Sequence, residues 1–133
     1  MSIAEKSFEP GAACPLDGVR VVDMSRLVSG NMVSLQFADF GAEVINVEDP
    51  KKGDPLRAWQ TNGLSVHWKI YSRNKKSLAL NVREARGREL PLDLASTTQV
   101  LIENFARGRP RRWVSAPWST FPTPRWGNCR CAT

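Results

Sequence analysis

The stretch VRVVDMSRLVSGNMVSLQFADFGAEVINVE, residues 19–48, reads as one strand, one helix and a second strand. Val19, Val21, Val22 and Met24 form a short apolar run rich in β-branched side chains, which suits a strand buried on both faces of a parallel sheet. Ser29 and Gly30 offer a helix cap and a tight backbone. Val33, Phe37 and Phe40 then recur at i, i+4 and i+7, so that an apolar stripe can lie back on the sheet. Gly41 fits the left-handed position just past a helix C-terminus, and Glu43–Glu48 supplies the next strand. About thirty residues from strand to strand is the size of a right-handed βαβ unit.

Outward from that unit, residues 1–14 read as a loose arm, and Pro15-Leu16-Asp17-Gly18 as the turn that delivers the first strand. DPKKGDPLRAWQTNG, after Glu48, is a long loop over one edge of the sheet. Leu64–Tyr71 fits a short helix or a strand. Arg73-Asn74-Lys75-Lys76 reads as a basic, solvated turn, and Ser77–Val82 as a third strand with Leu78, Leu80 and Val82 alternating. Arg83–Ser96 has a helical stripe through Leu90 and Leu94, interrupted at Pro91, and Val100–Glu103 is a fourth buried strand.

The 133 residues suffice for one modest domain. No apolar run approaches the roughly 18 residues that cross a bilayer, and the acidic N-terminus lacks the apolar core of a secretory signal, so a cytoplasmic location is expected. Cys14, Cys129 and Cys131 match no disulfide framework, in keeping with a reducing compartment, and two nearby thiols make a weak metal site; no metal is expected. Residues 1–106 hold thirteen Lys or Arg and all thirteen acids, so the body is neutral. The whole net charge of +6 sits on six arginines in residues 107–133, a stretch that also holds three of the five tryptophans. That irregular tail suggests nucleic-acid binding. Its abrupt loss of acids, lysines and periodicity after Glu103-Asn104-Phe105 is equally what a shifted reading frame produces, which makes nucleic acid the less favoured partner.

In an open α/β sheet, ligands sit outside the carboxyl ends of the strands. The Ser25–Gly30 loop, the residues around Glu48–Gly53, the strand end at Leu80–Arg83 and the Asn104–Ala106 exit are therefore the candidate positions, and a helix opening at Ser29-Gly30 suits phosphate. Neither a G-x-G-x-x-G fingerprint nor a Walker motif is present.

The ordered blocks PLDGVRVVDMSR…SG, FADFGAEVINVE, GDPLRAW, RNKKSLALNV, GREL and VLIENF resemble the N-terminal part of the class III CoA-transferases, over roughly residues 15–106. The resemblance implies a Rossmann-like large domain, cut short here, that binds coenzyme A or its acyl thioesters. It also implies an enzyme moving CoA between carboxylic acids through an aspartyl-CoA intermediate, in interlocked homodimers. Carried over position by position, the CoA contacts fall at Val28 and Ser29, at Leu80, Asn81, Val82 and Arg83, and at Asn104, Phe105 and Ala106. Asp49 stands where relatives often place an arginine. The family's catalytic aspartate has no counterpart among these residues, and none of Asp23, Asp39 and Asp54 is assigned that role. A protein truncated before its nucleophile and inactive alone is the expectation; a non-catalytic CoA-binding module is the other reading.

Overall fold

A computed structural model describes residues 7, 9–82, 84, 87, 90, 93–94 and 96–104. Strand β1 (Arg20–Asp23) leads into helix α1 (Leu27–Asp39), which returns to β2 (Glu43–Glu48). A 3-10 turn (Pro55–Ala58), helix α2 (Val66–Tyr71), β3 (Lys75–Ala79) and β4 (Val100–Ile102) follow. The four strands make one sheet in the order β3-β2-β1-β4, and every neighbouring pair is parallel. This is the α/β architecture that the sequence leads one to expect. Its chain order runs one way from β1 through β2 to β3, then reverses to place β4 on the far side of β1.

Val21 and Val22 on β1 are both fully buried, on opposite faces of the sheet. Burying each such side chain contributes about 1.5–3 kcal/mol. On the face under α1, Val21 and Val44 pack with Ala38 and Ala42, edged by Leu16, Val19, Phe37, Val100 and Ile102. Towards the strand ends the same face turns polar, since alternation brings Asp23, Asn46 and Glu48 to it, all buried.

That polarity overturns the expected helix face. The buried residues of α1 are Gly30, Asn31, Ser34, Leu35 and Ala38, whereas Val33 is 48% and Phe40 53% exposed. An apolar stripe would have faced buried carboxylates; Asn31 and Ser34 hydrogen-bond to them instead. Nor does Ser29 cap the helix. Arg26 occupies the cap position, with no side-chain cap bond, and Ser29 lies inside the first turn. Gly30 is required by closeness, because a Cβ there would run into the Ser25 side chain. Gly41, at φ +97°, ends α1 as expected, its amide bonded to Ala38 O at 3.1 Å.

β2 has the anticipated bounds, and Leu64–Tyr71 resolves as helix at Val66–Tyr71. The third strand begins two residues earlier than expected and takes Lys75 and Lys76 out of the turn. Between β3 and β4 the described residues Gly87, Leu90, Asp93, Leu94 and Ser96 are helical, while Pro91 lies outside the described residues. So do residues 1–6 of the arm and the whole of the tail, 107–133.

Lys75 is the largest departure. Its side chain is 1% exposed, with Nζ donating to Asn31 O at 2.8 Å, Asn31 Oδ1 at 3.2 Å and Ser34 Oγ at 2.7 Å, and lying 3.7 Å from Asp23 Oδ2. Burial pushes its pKa below the ordinary lysine value, against the opposing pull of Asp23. Removing one partner of a buried pair leaves the other charge uncompensated, so Lys75→Met should lower unfolding free energy by about 3–5 kcal/mol. In the Asp23→Asn/Lys75→Met double variant much of that loss should return. Lys76→Ala, at a side chain 71% exposed, should change stability by less than about 1 kcal/mol. Urea unfolding of the full chain measures all three.

Candidate functional site

The carboxyl ends of the strands are built from two layers of polar side chains. In the inner layer Asp23 ends β1 and accepts from the Ser25 amide at 2.9 Å, from Ser25 Oγ at 2.5 Å and from Ser34 Oγ. Asn31 carries the network outward, donating from Nδ2 to Leu27 O at 2.6 Å and to Asp54 Oδ2 at 3.1 Å. Asp54 caps the 3-10 turn through the Leu56 amide at 2.7 Å, and its own amide donates to Glu48 Oε2 at 3.0 Å. Glu48 also takes a bidentate pair from Arg57, at 2.7 and 3.0 Å, and a bond from Ser77 Oγ at 2.6 Å. The Arg57 guanidinium stacks 4.0 Å from the Trp68 ring centre. These contacts explain why GDPLRAW holds a defined shape: the Asp54 amide and the Arg57 guanidinium tie it to the tip of β2, and the Asp54 carboxylate ties it to α1.

Burial raises the Glu48 carboxyl, but the bonds from Arg57, Ser77 and the Asp54 amide outweigh it and hold the group below its ordinary value of 4.5. Asn46, 2% exposed between these carboxylates, finds no hydrogen-bond partner for either side-chain atom among the described residues.

The outer layer is the rim. Arg26 Nη1 donates to Met24 O at 3.1 Å, Ser25 O at 2.8 Å and Val47 O at 2.9 Å, tying the end of β1 to that of β2. Asn104, beyond β4, accepts from the Arg26 amide at 2.9 Å and donates to Arg26 O at 2.7 Å and Ser29 Oγ at 3.4 Å. At the point between β1 and β4 where the strand order reverses, Arg26 and Asn104 therefore stand on the two sides and are bonded to each other.

Of the expected contacts, Val28 and Ser29 fall in the first turn of α1, half-buried and exposed respectively, and Ser29 meets Asn104. Leu80, Asn81 and Val82 follow β3 on the same rim, two strands across from β1, with the Leu80 amide donating to Glu48 O at 2.8 Å. Arg83, Phe105 and Ala106 lie outside the described residues. Asp49 accepts from the Lys51 and Lys52 amides at 2.8 and 3.0 Å, closing its own turn. Asp39 pairs with Arg73 at 2.5 Å. Sequence reasoning gave Asn31 no role, named Arg26 only within the Ser25–Gly30 loop and placed Lys75 in a solvated turn; each works mainly on backbone or on groups distant in sequence. Among the described residues no group of three or more His, Cys, Asp or Glu could hold a metal, and no helix is long and apolar enough to cross a membrane.

An open parallel sheet whose strand order reverses between β1 and β4, with helices packed on it, defines the α/β class. Residues 16–117 match the sequence profile of CoA-transferase family III, and the chain belongs to that family. It is 39% identical over 102 residues to a succinyl-CoA–D-citramalate CoA-transferase of Chloroflexus aurantiacus, covering 74% of this chain and 25% of that protein. It is 36% identical over 98 residues to the human succinyl-CoA:glutarate CoA-transferase, covering 71% and 22%. A CAIB/BAIF family protein from Brucella suis superposes with a TM-score of 0.72 at 33% identity, covering 80% of this chain and 30% of that one. The chain thus spans about a quarter of the length of the curated relatives it matches.

Two stability effects follow from the inner layer. Because the Glu48 pKa is lowered on folding, its contribution is complete above the ordinary value of 4.5 and disappears as pH falls through the lower folded value. Urea midpoints measured against pH should therefore drop below about 4.5 more steeply for the native chain than for Glu48→Gln. Asn46→Leu should raise stability by about 1 kcal/mol with an unchanged urea slope, since it removes two unpaired buried polar atoms.

Proposed function

We propose that this chain is the coenzyme A-binding part of a family III CoA-transferase, a large-domain fragment over residues 15–106. The observation that carries the reading is the crevice between β1 and β4, where the first turn of α1 and the exit of β4 meet within hydrogen-bonding distance. The first turn of a 13-residue helix has free amides and the positive end of the dipole, which favour a phosphate group. Val28 and Ser29 sit at that turn, Leu80–Val82 follow β3 on the same rim, and by the family resemblance Arg83 would be the cation for phosphate. Asn104 stands across from that turn, and Phe105 and Ala106 are CoA contacts by the family resemblance alone.

In the complete reaction coenzyme A passes between carboxylic acids through an aspartyl-CoA thioester. Asp23, Asp39 and Asp54 are not assigned as that nucleophile. Asp23 and Asp54 are sealed and fully engaged, and Asp39 is held by Arg73. Binding without turnover is the expected behaviour of this chain alone. The complete enzyme works in the cytoplasm as an interlocked homodimer on acyl-CoA and a free carboxylate. The similarity to transferases acting on succinyl-CoA supports a dicarboxylic acid as one substrate.

Isothermal titration of the full, folded chain with coenzyme A and with succinyl-CoA should give saturable binding, weakened about tenfold or more by Arg83→Ala, as fits the loss of one charge-assisted bond. Absence of saturable heat with folded protein would overturn the reading.

A further inference from the structure

Leu27, the first residue of α1, has φ +64°. A β-carbon makes this left-handed conformation unfavourable, and leucine has no polar side chain to compensate locally; such a residue costs about 1–3 kcal/mol and persists only where its surroundings impose it. Side-chain burial does not impose it, since Leu27 is 38% exposed. What surrounds it are two asparagines. Asn104 Nδ2 donates to Arg26 O at 2.7 Å, the carbonyl of the peptide plane that enters Leu27, while Asn104 Oδ1 accepts from the Arg26 amide. Asn31 Nδ2 donates to Leu27 O at 2.6 Å, the carbonyl of the plane that leaves it. Both planes whose rotation sets the Leu27 conformation are thus held by side-chain amides, and the Arg26 guanidinium anchors the same residue to Val47 O.

We propose that Asn104 is a positioning residue: by clasping Arg26 it holds Leu27 left-handed and so aims the Val28 and Ser29 amides into the crevice. The inference rests on the coenzyme A reading above but differs from it on one point. The Asn104 side chain uses both its polar atoms on the protein and acts on the ligand only through α1.

Two measurements on the full chain decide it. Without ligand, a strong intraresidue amide–Hα nuclear Overhauser effect at Leu27 reports positive φ; it should be strong in the native chain and weak in Asn104→Ala. Its persistence in that variant would overturn the clasp. With coenzyme A as the probe, Asn104→Ala should weaken binding about tenfold in the native background, within the range of the strain released. In a Leu27→Gly background, where the conformation is free of strain, the same change should have an effect of less than about threefold. An equal loss in both backgrounds would mean direct contact with the ligand and would sink the proposal. If the native chain binds no coenzyme A, the functional reading fails while the Leu27 measurement still judges the clasp. Asn104→Asp keeps the acceptor for the Arg26 amide and removes the donor to its carbonyl, so it answers both questions should the alanine variant not fold.

Discussion

A carboxylate sealed from water at the tip of an inner strand governs the arrangement of everything around it. Asp23 has no exposed surface, and an isolated charge in that position would be untenable. Its neutralisation draws on three elements at once: Ser25 from the loop after β1, Ser34 from α1, and Lys75 from the first residue of β3. Helix, loop and a strand two places across the sheet can meet it only if α1 lies close over the sheet, and the missing Cβ of Gly30 above Ser25 permits that approach. The apolar half of the interface, around Val21, Ala38 and Val44, supplies the nonspecific adhesion. The polar half fixes where along the sheet the helix begins.

Helix placement then determines the rim. The first turn of α1 begins beside the ends of β1 and β4, and Arg26 bridges outward from this point to β2. The loop between β2 and α2 is fastened to the same tips through Asp54, Glu48 and Arg57, so a segment rich in Pro, Gly and charge has a single shape. Relatives about four times longer carry this unit at their matched part.

Much of the architecture was legible in the sequence because it rests on local periodicity. The β-branched run at Val21-Val22, the bounds of β2, the stop at Gly41 and the parallel order all follow from patterns within one βαβ unit. The buried face of α1 was not, since amphipathic reasoning assumes an apolar floor and here half the floor is Asp23, Asn46 and Glu48. Lys75 was misread for a related reason. Arg-Asn-Lys-Lys resembles a solvated turn, and nothing nearby in sequence discloses a buried acid on a strand far upstream. The strand-tip rule put Ser29 and Asn104 among the candidate positions without pairing them, whereas Arg26 and Asn31 act on backbone carbonyls, a role that leaves no signature of residue type or spacing.

The two lips of the crevice, Arg26 and Asn104, are separated by 78 positions of chain. Parallel strands admit no tight turn, so after Arg26 is made the chain must be synthesised through β4 before the rim can close. At about 5–20 residues per second that interval is about 4–16 seconds. The join that ties the end of β1 to that of β4 is thus the last tie of the described sheet for which both partners exist.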